Sequence, residues 1–177
     1  MPGKKYSPWD VRMLTFIALY ATMQTVVVSL TGGSAIIDFC YLVDGLFAAY
    51  FGVVVSYFGN ALGFFTRLLL VYGATSIGYL TIGVFNDSMF ATATGSSFYW
   101  AFARGKARWR IIIPMLAVYL GHGFYYCWAS MITNPPEMWG ILIADQMLRF
   151  MPLAVMNWTI GAIIGETAVR RRLRAAK

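Results

Sequence analysis

"ILIADQMLRFMPLAVMNWTIGAIIGETAVRRRLR" (residues 141–174) is the stretch that decides the fold, because its apolar run is long enough to cross a lipid bilayer. A spanning helix needs about 20 mostly apolar residues. Two ionisable residues, Asp145 and Arg149, interrupt the run. Their spacing of four residues places both on one face of a helix. We therefore interpret the stretch as a membrane-spanning helix that carries an ionisable pair and ends in an arginine cluster.

The composition of the whole chain agrees with this interpretation. Hydrophobic residues make up 59% of the 177 residues and charged residues 12%, against about 45–50% and about 25% in soluble domains. Six tryptophans and 17% aromatic residues are typical of interfacial belts. The net charge of +7 comes from short basic clusters between apolar runs, so we predict a lipid environment and no nucleic-acid partner. The expected location is the plasma membrane.

Residues 1–177 are predicted to form a single all-α membrane domain, a bundle of six transmembrane helices. The predicted spans are 10–31, 36–57, 62–84, 88–103, 111–132 and 138–168. No small-residue cleavage pattern follows the first span closely, so we expect a retained helix and not a signal peptide. Gly161 and Gly165 form a GxxxG motif that predicts close helix contact. Gly59 and Gly63 are expected to mark the turn into the third helix.

The basic clusters predict the orientation of the bundle, because cytoplasmic loops are enriched in Lys and Arg. One cluster precedes the first span, the "RGKARWR" loop follows the fourth, and the third cluster follows the last span. An even number of helices separates each pair of clusters, so all three can lie in the cytoplasm together with both termini. The connections at 32–38, 85–88 and 133–137 carry no basic residue and are expected to face outward.

Enzyme motifs are missing from the sequence. There is no HExxH, CxxC, phosphate-binding glycine loop or serine elbow. The single histidine, His122, cannot supply both axial ligands of a bis-histidine haem. We therefore predict a protein that is not an enzyme and carries no cofactor or metal. Cys40 and Cys127 are interpreted as small buried hydrophobic residues.

The ionisable pair is the sharpest candidate for a functional site. Charged groups inside a spanning helix are costly and often mark a binding or transport site. The alternative is that Asp145 and Arg149 form an ion pair that only holds the last helix against its neighbours. Asp38 and Asp44, at the outer start of the second helix, either line a pocket lid or solvate a helix end.

The outer halves of the fifth and sixth helices, joined by "NPPE", add aromatic and polar residues to the candidate site. Aromatic walls with a few convergent polar groups are typical of a small-molecule pocket. The alternative is an aromatic belt that faces lipid. The predicted substrate-binding residues are Asp38, His122, Tyr125, Tyr126, Trp128, Asn134, Trp139, Asp145, Gln146 and Arg149.

The chain resembles the substrate-binding S-components of energy-coupling-factor (ECF) vitamin transporters. The resemblance lies in six short helices, cytoplasmic termini and a basic loop between helices four and five. The sequences that carry it are "VRMLTFIALYATMQTVVVSL", "DGLFAAYFGVVVSYFGNALGFFTRLLL", "FYWAFARGKARWR" and "MPLAVMNWTIGAIIGETAVRRRLR". It implies capture of a vitamin-like small molecule in the outer half of the bundle. It also implies a transmembrane coupling subunit and separate ATPase subunits as partners.

One feature of that family is altered in this chain. The family's first helix docks on the coupling subunit through two alanines spaced by three residues. Here the equivalent positions are Ala18 with Thr22 and Ala21 with Thr25, which keep small residues but not the alanine pair. As for the substrate, Arg149 suits a carboxylate or phosphate, Asp145 an amine or ring N–H, and the aromatics a flat ring.

Two other functions are compatible with the sequence. A small accessory subunit of a larger membrane complex would have Asp145 and Arg149 in contact with each other or with another chain, and no closed pocket. An enzyme acting on lipid would use His122 as a base oriented by Asp145, but no nucleophile or metal set accompanies them.

Overall fold

The computed structural model describes residues 10–31, 39–70, 99–103 and 109–175, and these ranges are almost entirely helical, with no strand among them. The all-α prediction is therefore confirmed for this part of the chain. Two π-helical turns, Tyr99–Ala103 and Gln146–Phe150, accompany the α-helices. The helices are α1 (Val11–Thr31), α2 (Phe39–Phe51), α3 (Val53–Leu70), α4 (Trp109–Thr133), α5 (Pro136–Asp145) and α6 (Met151–Ala175).

The break between α2 and α3 lies at Gly52, whose φ of 97° falls in the left-handed region that favours glycine. The predicted turn at Gly59 and Gly63 is wrong, because both residues lie inside α3. They are small for another reason. A Cβ at Gly59 would overlap the Tyr20 ring, and one at Gly63 would lie 2.5 Å from Cβ of Gln24. The two glycines thus let α3 pack closely on α1.

The contacts give the direction of the first three helices. α3 runs parallel to α1, since Gly59 meets Tyr20 and Gly63 meets Gln24. α2 runs antiparallel to α1, because the Tyr20 ring stacks on Phe47 with centroids 4.4 Å apart, while Gln24, further along α1, bonds to Asp44, earlier in α2. The first three helices therefore alternate in direction along the chain.

α2 and α6 run parallel and approach each other backbone to backbone. A Cβ at Gly45 would overlap the carbonyl oxygen of Trp158, and one at Gly161 would overlap that of Leu42. Gly165 lies one turn further along the same contact, next to the Leu46 carbonyl. The GxxxG prediction is confirmed as a helix contact, since only glycine permits this separation.

The surface of the described helices is apolar over much of its extent. Large apolar side chains are exposed on α1, α3, α4, α5 and α6, while the buried core is shared between the α2–α6 contact and the α1–α2 contact. The continuous helix Pro136–Ala175 is long and apolar enough to cross a membrane, the one such helix among the described residues. The shorter apolar segments Val11–Val27 and Phe39–Phe51 accompany it.

Candidate functional site

A polar cluster lies buried between α1 and α2. Gln24 and Asp44 are only 1% and 2% exposed. The Gln24 side-chain nitrogen donates a 2.8 Å hydrogen bond to the Asp44 carboxylate. It also lies 3.2 Å from the carbonyl oxygen of Cys40 and 3.3 Å from the Tyr20 hydroxyl. One amide thus meets a side-chain carboxylate, a backbone carbonyl and a phenol within a single buried site.

Helix periodicity explains why these four groups converge. Tyr20 and Gln24 are four residues apart on α1, and Cys40 and Asp44 are four apart on α2, so each pair occupies one helix face. The two faces meet because α1 and α2 pack antiparallel. The sequence assigned Asp44 to a pocket lid or to a helix end and did not single out Gln24. The available signal was an isolated amide within the apolar run of the first helix.

The electrostatic cost of this cluster is its strongest indication of function. A carboxylate removed from water destabilises the folded state unless hydrogen bonds compensate for its lost hydration. Ionisable groups kept inside apolar bundles tend to serve binding or transport. α3 adds further buried polar residues, among them Asn60 and Arg67, and the Arg67 guanidinium lies 4.8 Å from the centroid of the Phe64 ring. Five of the buried polar or charged side chains among the described residues therefore lie on the first three helices: Gln24, Asp44, Ser56, Asn60 and Arg67.

The predicted pair Asp145 and Arg149 is brought together, and it lies at the surface. Nε of Arg149 is 3.1 Å from a carboxylate oxygen of Asp145, with side-chain exposures of 80% and 40%. Asp145 immediately precedes the π-helical turn Gln146–Phe150, and Arg149 lies within that turn. Its geometry matches the prediction that the two residues contact each other. A role in ligand binding stays a prediction.

Pro152 explains the wide turn beside this pair. The Met151 N–H bonds to the Gln146 carbonyl, five residues back, so the Met147 carbonyl loses its usual partner. The next donor in a π-helix would come from Pro152, which has no N–H. The Tyr119 hydroxyl of α4 donates to the Met147 carbonyl at 3.0 Å instead. A tyrosine of the neighbouring helix thus supplies the hydrogen-bond donor that the Met147 carbonyl lacks in the widened turn.

The structure describes the side chains of four other predicted site residues, Trp128, Asn134, Trp139 and Gln146. Trp139 donates its indole N–H to the Asn134 carbonyl at 2.8 Å, within the turn between α4 and α5. Gln146 has a buried side-chain oxygen with no hydrogen-bond partner in the described part of the chain, and Trp128 is exposed. Asp38 and the side chains of His122, Tyr125 and Tyr126 lie outside the described residues.

A cavity of about 270 Å³ lies at the far end of the bundle from the Asp145–Arg149 pair. Its wall contains Arg12 from the start of α1 and Arg172 from the end of α6. None of the predicted substrate-binding residues whose side chains the structure describes lines it. The described residues contain no group of three or more His, Cys, Asp or Glu side chains that could hold a metal ion.

The functional interpretation therefore depends on three features: the buried Gln24–Asp44 bond, the exposed Asp145–Arg149 pair and the basic cavity. Comparison with known proteins finds no matching family model, no matching curated protein and no matching solved structure.

Proposed function

We propose that this chain is an integral membrane protein, a bundle of six spanning helices with both termini in the cytoplasm. The apolar exposed surface supports membrane embedding, because a soluble monomer rarely exposes so many large apolar side chains. The 40-residue helix Pro136–Ala175 is about 60 Å long at 1.5 Å per residue. It exceeds the hydrocarbon core of about 30 Å, so it also extends into water.

The basic residues support the orientation of this bundle. Arg12 and Arg172, from opposite ends of the chain, line the same cavity. The Tyr99 hydroxyl, in the segment that leads to "RGKARWR", donates to Glu166 at 3.1 Å, and Glu166 pairs with Arg170. Arg12, Arg170, Arg172 and Tyr99 thus lie at one end of the bundle, which supports a common cytoplasmic face.

Cysteine labelling tests the topology. Ala107→Cys, in a background of Cys40→Ala and Cys127→Ala, should react with a membrane-permeant maleimide in whole cells and not with an impermeant one. Reaction with the impermeant reagent from outside would overturn the six-span arrangement.

We propose further that the protein captures a vitamin-like small molecule and delivers it to a transporter driven by partner ATPase subunits. The observation that carries this proposal is the buried hydrogen bond between Gln24 of α1 and Asp44 of α2. Arg149 supports it as well, because its side chain is 80% exposed and its guanidinium holds only one partner among the described residues, Asp145, through Nε. Its remaining N–H donors suit a ligand carboxylate or phosphate.

The length of the continuous helix Pro136–Ala175 agrees with a role for Arg149 at the outer surface. Arg149 and Arg172 are 23 residues apart, or about 35 Å along a helix. This distance is close to the thickness of the hydrocarbon core. Arg149 and its partner Asp145 would therefore lie at the outer membrane–water boundary when Arg172 lies at the inner one. A ligand that arrives from outside would reach Arg149 without crossing the hydrocarbon core.

Native mass spectrometry of protein purified in mild detergent from cells grown in rich medium tests ligand capture. We expect a stoichiometric adduct of a small molecule. Arg149→Ala should lose the adduct and remain inserted, whereas Arg174→Ala, an exposed arginine at the other end of α6, should retain it. An empty wild-type protein would contradict the proposal.

A second candidate function, an accessory subunit of a larger membrane complex, is favoured by one observation. Asp145 and Arg149 contact each other on the surface, where a neighbouring chain could cover them. Copurification of large membrane subunits without ATPase partners, and without a bound small molecule, would select this function over ligand capture.

A further inference from the structure

The cavity at the basic end of the bundle is lined by two arginines and by aromatic side chains. Phe16 and Phe51 face each other with ring centroids 4.2 Å apart, and the Tyr50 ring meets Phe51 edge-on at 4.5 Å. Arg172 donates from Nη1 to the Tyr50 hydroxyl at 3.4 Å. The lining residues are Arg12, Met13, Phe16, Tyr50, Phe51, Val55 and Arg172.

The two arginines of this cavity differ from their neighbour Arg170. Arg170 is neutralised by Glu166, with Nε 2.9 Å from the carboxylate. Arg12 and Arg172 form no ion pair with a described carboxylate; at the start of α1 the Asp10 carboxylate accepts the backbone N–H of Arg12 at 3.0 Å. Two arginines therefore line one cavity, and neither is paired with a described carboxylate.

The surroundings indicate which anion fits. Arginine presents a planar fork of donors that matches phosphate oxygens. Met13, Phe16 and Val55 supply apolar wall next to the arginines, and Val54 and Phe58 continue an exposed apolar surface along α3. A ligand with an anionic head and an apolar tail matches both parts, whereas a free phosphate would use only the arginines. Basic pockets between spanning helices on the cytoplasmic side bind lipid head groups.

We propose that this cavity binds the phosphate group of an anionic phospholipid from the cytoplasmic leaflet. Arg12 and Arg172 hold the phosphate, Tyr50 orients Arg172, and the acyl chains lie along the apolar surface of α1 and α3. Because the site joins the start of α1 to the end of α6, a bound lipid would connect the two ends of the chain. The inference rests on the membrane embedding proposed above and not on ligand capture.

Lipid titration by native mass spectrometry tests the site. The full chain in mild detergent is titrated with phosphatidylglycerol and, separately, with phosphatidylcholine of the same acyl chains. We expect selective retention of phosphatidylglycerol. Arg12→Gln and Arg172→Gln should each weaken its binding about fivefold, the effect of about 1 kcal/mol per basic residue near the membrane surface.

Arg174→Gln is the matched control, because Arg174 is exposed in the same basic cluster and does not line the cavity. Its phosphatidylglycerol binding should equal that of the wild type. An equal loss in all three variants would overturn the site in favour of general charge attraction, and equal retention of both lipids would overturn it as well. Inorganic phosphate that binds with the same dependence on Arg12 and Arg172, without lipid selectivity, would assign the cavity to a water-soluble phosphate and overturn the lipid proposal.

Failure of this inference and failure of ligand capture have different signatures. A protein that carries no small-molecule adduct but selects phosphatidylglycerol through Arg12 and Arg172 contradicts capture and supports the lipid site. A protein that keeps its adduct and shows no lipid selectivity gives the opposite result.

Discussion

The side-chain nitrogen of Gln24 lies 2.8 Å from a carboxylate oxygen of Asp44, deep between α1 and α2. Both residues are almost fully buried. Sliding α1 by one residue would separate them and leave two polar groups without their partners, which is costly in an apolar interior. The bond therefore selects one register between the first two helices, in addition to any role in function.

Gln24→Leu should lower the free energy of unfolding by about 1–3 kcal/mol, because the Asp44 carboxylate loses a buried donor. The measurement is thermal unfolding of the purified protein in detergent. Asp44→Leu in the same chain should add less than its effect alone, since the two residues share one interaction. Thr22→Val is the control: Thr22 is exposed and bonds only to the Ala18 carbonyl of its own helix. Strictly additive effects would show that the two side chains are not coupled.

Gly45→Ala and Gly161→Ala should each prevent the α2–α6 contact, because the added Cβ overlaps a backbone carbonyl that cannot move aside. We expect a loss of about 1–3 kcal/mol or more, typical of overpacking. Gly140→Ala is the matched control, since a Cβ there meets nothing within 4 Å. That variant should be neutral or slightly more stable. Unfolding temperatures in detergent give the comparison, and equal effects at all three glycines would contradict the close approach.

Local patterns predicted part of this structure well. Spacing of apolar and small residues along one helix indicated an all-α chain and the GxxxG contact of Gly161 and Gly165. The predicted position of the turn before the third helix was wrong, because the sequence does not show which glycine adopts a positive φ. Gly52 turns the chain, while Gly59 and Gly63 fit against α1. Whether a glycine turns the chain or allows a close helix contact depends on how its helix packs against a partner helix.

The candidate site was harder to predict for the same reason. Asp145 and Arg149 are four residues apart, so their contact follows from helix geometry alone. Gln24 and Asp44 lie on different helices, and their contact depends on the packing of α1 against α2. The sequence drew attention to Asp44 but not to its contact with Gln24, since single polar residues occur in many apolar helices.

Tyr119→Phe should destabilise the protein, because the Met147 carbonyl loses its hydroxyl donor. We expect about 0.5–1.5 kcal/mol, the net contribution of a typical hydrogen bond, because the bond is partly buried. Pro152→Ala restores an N–H to α6, so Tyr119→Phe should cost less in that background. Thermal unfolding of the two single variants and the double variant measures the coupling. An unchanged cost would show that the proline is not the cause of the open carbonyl.

Arg149→Gln should change the free energy of unfolding by less than about 1 kcal/mol, because an exposed ion pair contributes little to stability. Asp145→Asn removes the other half of the pair and should behave alike. Thermal unfolding and membrane insertion are the readouts. A variant that fails to fold would assign the pair a structural role and contradict its availability to a ligand.

The contact between α2 and α6 has a consequence for the biogenesis of the protein. Gly45 and Gly161 meet backbone to backbone although most of the chain separates them in sequence. If the chain spans a membrane as proposed, α2 would enter it during synthesis with its glycine face uncovered until α6 has been made. Such long-range pairing slows assembly. A chain interrupted before α6 would then keep this helix surface unmatched in the bilayer.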